Sequence, residues 1–309
     1  MSASRLSLAA AVAMMVVWGT NFAFVKHVLG ELGVGPFLFL RFLAMPLLAF
    51  AMLAVAFRGR LARTWPARED LPRFVACGLI GHAAHVGLVF WGIDLSTAFS
   101  SALVLTSGPL FTLLILALLG AERLRGAQVA GTLVALAGIA VFLSDKVLRG
   151  VANAGIGDLV LLGAAGAFSL YTVMARPITD RYGPLVVLFY TLLFGAPVML
   201  VFSFPTFLRV GVGHLTPLIW VGLFWSIVLS SVLGWLVWAW VNAVRGVARS
   251  APLMYLPPPI AGVVAWLTLG EHFTPLKLAG AAVTMAGVAW AQFGGGHPPA
   301  REVAQPDSG

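Results

Sequence analysis

Residues 91–140 read WGIDLSTAFSSALVLTSGPLFTLLILALLGAERLRGAQVAGTLVALAGIA, and residues 240–289 read WVNAVRGVARSAPLMYLPPPIAGVVAWLTLGEHFTPLKLAGAAVTMAGVA. Laid over one another at a shift of 149, they share 12 identities in 50 positions without a gap. Trp91 falls on Trp240, Ala102 on Ala251, Pro109 on Pro258 and Glu122 on Glu271. Ala130-Gly131 falls on Ala279-Gly280, and Ala137-Gly138 on Ala286-Gly287. An apolar composition inflates chance matches, but Trp, Pro and Glu are too rare for composition alone to align. Earlier in each copy, residues 18–26 fall on 168–176 at a shift of 150. The chain reads as a duplication.

Composition says where the duplicated unit lives. Of 309 residues, 60% are apolar and 10% charged, against roughly 25% charged in soluble domains. So few charges cannot clothe a soluble body. This excludes a soluble enzyme, a disordered scaffold and, despite the net charge of +8, a nucleic-acid binder. A bilayer-spanning helix takes ~20 apolar residues. Hydropathy divides the chain into ten such segments, near 6–26, 36–57, 72–92, 97–119, 127–144, 156–175, 184–204, 217–241, 247–269 and 276–293. The expected fold is an all-α polytopic membrane protein with ten transmembrane helices. Residues 1–145 form the first five-helix repeat and 146–293 the second. The polar, Pro- and Gly-rich stretch 294–309 is expected to be a disordered cytoplasmic tail. The first apolar run continues past Trp18 to Val25 with no small-residue cleavage site, so it reads as a retained helix rather than a signal peptide.

Positive charge sets the orientation. With the N-terminus inside, 13 Lys and Arg residues fall on the cytoplasmic side and 5 outside, with Arg41 inside the second segment. Both termini are expected in the cytoplasm of a cell with this chain in its inner (plasma) membrane. Five helices is an odd number, so the second copy enters the membrane upside down. Two inverted copies packed face to face can open a central site to either side in turn, which is a transporter architecture rather than an enzyme architecture.

Several short motifs fit that reading. Trp18-Gly19-Thr20-Asn21-Phe22 with Lys26, Leu40-Arg41-Phe42, Gly120-Ala121-Glu122-Arg123-Leu124, Gly157-Asp158-Leu159 and Leu269-Gly270-Glu271-His272 occur in this order. Over about residues 8 to 293 the chain resembles the EamA family of the drug/metabolite transporter superfamily. That resemblance implies movement of small metabolites such as amino acids and their derivatives, aromatic compounds, nucleosides and drugs. The family usually carries a tryptophan where this chain has Phe168, so a contact made by that indole is not expected here.

In inverted-repeat carriers, Gly/Pro-interrupted spans at matching positions mark the site. Here these are Ser107-Gly108-Pro109 and Pro257-Pro258-Pro259. Each proline lacks an N–H and clashes with the carbonyl one turn back, so carbonyls around 103–105 and 252–255 are expected to be freed. Gly108, Pro109, Pro257 and Pro258 are the candidate hinge; a plain packing kink is the alternative. The candidate substrate-binding residues are Trp18, Asn21, His82, His85, Thr106, Trp235, Trp238 and Tyr255. Helical spacing puts Trp18 with Asn21, His82 with His85, and Trp235 with Trp238 on common faces, while Thr106 and Tyr255 correspond under the repeat. Asn, Thr and Tyr supply directional hydrogen bonds, and Trp faces bind rings and ammonium groups. For the histidines, proton coupling and plain helix–helix hydrogen bonding are both open. Arg41 lies about 7 Å along its segment from Pro36. Its simpler reading is a side chain snorkelling to the outer interface, and the alternative is a grip on a substrate carboxylate. Glu122 and Glu271 read as twin residues that cap or pin helix ends, and Trp91 and Trp240 as interface anchors.

No catalytic residue, metal or cofactor is expected. Gly155-Ile156-Gly157-Asp158 matches the GxGD pattern of intramembrane proteases, but a second mid-span aspartate is missing. No Ser/His pair stands in a nucleophile motif. The expected function is export of amino acids or related aromatic and amphipathic compounds by alternating access, with a small-molecule substrate and the lipid bilayer as partners. Import of nucleosides or other metabolites, or a non-transporting scaffold or sensor, is the alternative. A monomer and a homodimer fit equally.

Overall fold

The structure, a computed structural model, describes residues 3–120, 126–148, 152–212, 215–245 and 251–293. Helices dominate because a chain this apolar must close its backbone hydrogen bonds internally to be compatible with lipid. We number them α1 (Ala3–Leu32), α2 (Val34–Ala56), α3 (Leu71–Leu95), α4 (Ala98–Leu118) and α5 (Gly126–Leu148). The second half gives α6 (Ala152–Tyr182), α7 (Pro184–Val210), α8 (217–245), α9 (Pro257–Leu269) and α10 (Pro275–Phe293). Among the described residues, eight helices are long and apolar enough to cross a membrane, and α9 and α10 are shorter apolar helices. The tail 294–309 and Glu122 lie outside the described residues.

The boundaries differ from the hydropathy segments for physical reasons. Helices α1 and α6 are longer than the expected 6–26 and 156–175, because helical hydrogen bonding continues past the apolar stretch into polar ends. The expected span 247–269 is shorter. Regular helix begins only at Pro257, after a 3₁₀ turn over Ala251–Tyr255, since three prolines can occupy only a first turn, where no N–H donor is needed. Gly33 and Gly183 both sit at φ 79°, a left-handed geometry that favours glycine. Each reverses the chain in one residue, between α1 and α2 and between α6 and α7.

Helix α4 breaks at Thr106 and Ser107, with Pro109 in the first turn of its second half. The carbonyls expected to be freed around 103–105 are largely recaptured. The Thr106 N–H donates to Leu103 O at 3.1 Å, and Ser107 donates to Val104 O from both its N–H and its hydroxyl, at 3.0 and 2.6 Å.

Two widened turns lie inside α3 and α8. Residues Gly78–Ala84 and Trp225–Leu233 are π-helical, with His85 N–H donating to Ile80 O and Gly234 N–H to Leu229 O. A π turn shifts the angular phase of everything after it, and such turns often occur at functional sites.

The helices pack as antiparallel pairs: α5 on α10, α2 on α7, α3 on α6 and α1 on α8. In the α5/α10 pair, a Cβ on Gly131 would lie 2.7 Å from Ala291 Cα, and one on Gly138 would lie 2.8 Å from Thr284 Cα. In the opposite sense, a Cβ on Gly280 would meet Phe142 Cα at 2.8 Å, and one on Gly287 would meet Ala135 Cα at 2.7 Å. The backbones touch at four glycines, the closeness that dispersion-driven packing in lipid requires. The main core gathers Phe37, Phe42, Phe90, Ile93 and Leu161 between α2, α3 and α6. Trp91 and Trp240 are exposed on the periphery, at 57% and 40%.

Glu271 pins a helix end, though of a neighbouring helix rather than of its own. Its Oε1 accepts from the Ala98 N–H at 2.6 Å, pinning the start of α4 from the end of α9. Glu271→Ala therefore strips a buried helix N-terminus of its acceptor, at a cost of ~1 kcal/mol. Its unfolding midpoint in detergent is expected to fall, with Glu271→Gln, which keeps a carbonyl oxygen in place, falling less. Equal midpoints for both variants and the unmodified chain would remove this contact from the fold's support.

Candidate functional site

Two chambers adjoin at the centre of the bundle. The smaller, about 270 Å³, is lined by Trp18 and Asn21 of α1, Arg41 of α2, His85 and Phe90 of α3, and Ser230 and Ser231 of α8. The larger, about 720 Å³, is lined by Thr106, Gly108 and Pro109 of α4, Trp238 of α8, Tyr255, Pro257 of α9 and Ala291 of α10. Trp18, Phe22, Leu105 and Phe168 border both. The larger chamber thus lies against both chain breaks.

Trp18 is held in place on two sides. Its Nε1 donates to Ser230 O at 2.9 Å, a carbonyl in the π-helical part of α8. Its ring meets Trp238 edge-on at 5.7 Å. Gly234 makes room, since a Cβ there would lie 2.8 Å from the indole nitrogen. Across the cavity Phe168, the residue equivalent to Trp18 in the second copy, leans on His85 with ring centroids 5.0 Å apart.

The histidines part company. His85 Nδ1 lies 2.9 Å from Ala164 O. A carbonyl only accepts, so Nδ1 carries the proton, and Nε2 of the neutral ring is an acceptor. His82 is off the chamber lining. It meets Thr191 Oγ1 of α7 at 3.0 Å and the Tyr171 ring of α6 at 5.8 Å. The π turn, which contains His82 and ends just before His85, separates faces that ordinary helical spacing would have joined. The hydroxyl of Thr191 already donates to Val187 O, so it accepts from His82, a helix–helix bond.

Arg41 is the larger correction. It does not reach the outer interface but turns into the smaller chamber. Nη2 donates to Ser231 Oγ at 2.8 Å and Nη1 to Ser226 O at 3.4 Å, with the guanidinium 4.9 Å from the centre of the Phe90 ring. A one-dimensional reading places Arg41 by depth alone, and depth does not say which way the side chain points.

Of the residues singled out from sequence, Trp18, Asn21, His85, Thr106, Trp238 and Tyr255 line the chambers. Gly108, Pro109 and Pro257 do so too, while Pro258 is buried beside them. The side chain of Trp235 lies outside the described residues. Sequence reasoning missed Ser230, Ser231 and Phe168 as lining. For Phe168 the signal was present, because the repeat aligns it with Trp18.

Polar contacts tie the helices together at one end of the bundle. Lys26 Nζ donates to the carbonyls of Ile93 and Asp94, and the Ser96 hydroxyl donates to the buried Asp158 carboxylate. Thr274 donates to Asp145 at 2.7 Å. Lys277, 5% exposed, sits among the rings of Phe99, Phe142 and Phe273 at 5.3 to 5.6 Å. The larger chamber lies towards the other end, where α5 begins and α10 finishes.

Comparison with known proteins adds four findings. The sequence model of the EamA-like transporter family matches this chain twice, over residues 5–144 and 155–292. A probable terminal-alkyne amino-acid exporter of Streptantibioticus cattleyicolor is 33% identical over 284 residues, covering 90% of this chain and 91% of that one. A probable amino-acid metabolite efflux pump of Salmonella typhimurium is 27% identical, covering 92% and 94%. A solved crystal structure at 20% identity has a TM-score of 0.59 over 94% of this chain and 98% of its own, a likeness of fold alone.

Proposed function

The chain belongs to the EamA-like transporter family, and from that membership we propose that it is an inner-membrane carrier, not an enzyme, that exports amino acids or related aromatic and amphipathic compounds by alternating access. Ten membrane crossings form two inverted five-helix repeats, 1–145 and 146–293, with both termini and the tail 294–309 in the cytoplasm. The names of the amino-acid exporting relatives support the substrate class. The observation that carries the reading is the pair of chambers, flanked by chain breaks in α4 and before α9. In this orientation the larger chamber faces the cytoplasm, which suits loading for export.

The packing supports the inverted repeat. Shifting the Gly131–Ala291 contact by 149 gives Gly280 and, with the helices exchanged, Phe142, which do touch. The Gly138–Thr284 and Gly287–Ala135 contacts exchange in the same way. The π turns at 78–84 and 225–233 and the turn glycines 33 and 183 also occupy matching places. An antiparallel pair that maps onto itself under the repeat shift is what a two-fold axis in the membrane plane produces.

Counterflow into proteoliposomes loaded with amino acids, nucleosides and sugars tests the function. Selective amino-acid uptake is expected. It should fall at least about tenfold, or ~1.4 kcal/mol, in Asn21→Ala, His85→Ala and Tyr255→Ala variants that elute and melt normally. Uptake of nucleosides instead would replace the substrate class, and no flux from any pool would favour a scaffold or sensor. Uptake untouched by all three substitutions would keep the carrier and discard these residues as its site.

A further inference from the structure

We propose that Arg41 is the anchor for a substrate carboxylate, and that the smaller chamber recognises the zwitterionic head of an α-amino acid while the larger one takes its side chain. This rests on the carrier reading above and adds the chemical group that the site requires.

The charge balance of the chamber is the starting point. Among the described residues no carboxylate pairs with Arg41: its partners are a hydroxyl, a carbonyl and an aromatic ring. Among the described residues, none that lines the chamber is acidic. Arg41 is only partly exposed, and a cation held partly out of water without a counter-ion is disfavoured, a loss that a ring face and one hydroxyl offset only in part. Of the five guanidinium N–H donors, two are occupied. The remaining donors form a planar fork suited to a carboxylate, which they bind with two parallel hydrogen bonds.

The opposite sign of hydrogen-bonding capacity stands on the same walls. Asn21 Oδ1 is buried and has no hydrogen-bond partner, and a buried acceptor left so is unfavourable. His85, with its Nδ1 proton committed to Ala164 O, contributes a second acceptor in Nε2. A cation with free donors and two acceptors in one small chamber are complementary to an anion and an N–H donor in one small ligand. An α-amino acid has both on adjacent atoms. A volume of about 270 Å³ has ample room for that head. The shared border of Trp18, Phe22, Leu105 and Phe168 is apolar and opens onto the larger chamber. Selectivity is thus strict for the head and loose for the side chain.

The test uses the full-length carrier and four probes: L-phenylalanine, L-phenylalaninamide, 3-phenylpropionate and phenethylamine. Two measurements run in parallel, counterflow in proteoliposomes and ligand-induced thermal stabilisation in detergent. With the unmodified protein, phenylalanine is expected to bind and exchange, and removal of the carboxylate in the amide or the amine should weaken both at least about tenfold. Phenylpropionate, which keeps the carboxylate but not the ammonium, should bind more weakly than phenylalanine and more tightly than phenethylamine. In Arg41→Gln the preference for phenylalanine over its amide should vanish. Arg41→Lys, which keeps the charge but loses the fork, should restore part of it. Equal handling of phenylalanine and its amide by the unmodified protein would overturn the proposal without any variant, even if Arg41→Gln fails to fold. A preference that survives in Arg41→Gln would overturn it too. Discrimination in the thermal measurement with no flux of any probe would support the anchor and sink the carrier reading instead.

Discussion

Replacing Gly138 or Gly287 by leucine is expected to deprive the chain of its folded state. The Cβ alone would press into the backbone of Thr284 or Ala135, at 2.8 and 2.7 Å from their Cα atoms, and backbone cannot rotate out of the way as a side chain does. Relief requires α5 and α10 to move apart along their length, which forfeits the close contact holding them. Overpacking a tight interior costs about 1–3 kcal/mol, occasionally more, and in lipid no hydrophobic drive between helices compensates. Even alanine should lower the unfolding midpoint, although Ala favours helix over Gly by ~1 kcal/mol. Gly131 and Gly280 should behave as a second matched pair. Gly163 is the control, since nothing lies within 4 Å of a Cβ built there, so Gly163→Ala should match or exceed the original stability. Thermal unfolding followed by tryptophan fluorescence in detergent reads all five positions. A Gly138→Leu protein as stable as Gly163→Ala would refute the packing argument.

Trp18→Ala should abolish most transport. The indole borders both chambers, bonds to Ser230 O and rests against Trp238, so its removal merges the chambers and leaves the carbonyl without that donor. A loss of at least about tenfold in counterflow corresponds to ~1.4 kcal/mol, well within the reach of one lost aromatic contact plus one hydrogen bond. Trp18→Phe keeps a ring and should fall between the two, because the equivalent position in the other half functions with Phe168. Gly234→Ala offers an independent route to the same defect, as its added methyl would displace the indole nitrogen without deleting the ring. Normal flux in both Trp18→Ala and Gly234→Ala would mean that the passage runs elsewhere.

What the sequence by itself determined here was everything expressed along one dimension. Apolar run length marked membrane-scale helices, and the spacing of rare residues revealed the doubled unit. The glycines at 131, 138, 280 and 287 were legible as repeat identities, but that they are where α5 and α10 touch came only from the tertiary structure. The triple proline stated where helix could not begin earlier. Direction around each helix axis was not legible. In lipid both faces of a helix are apolar, so no polar stripe distinguishes inside from outside. The π turns in α3 and α8 then shift the phase that residue spacing assumes. That is why His82 turned to α7 while His85 kept the cavity, and why Ser230 and Ser231 escaped notice. Arg41 shows the same limit: its depth was plain from position 41, but only the tertiary packing of α2 against α3 and α8 turned its charge from the expected interface to the wall of the smaller chamber.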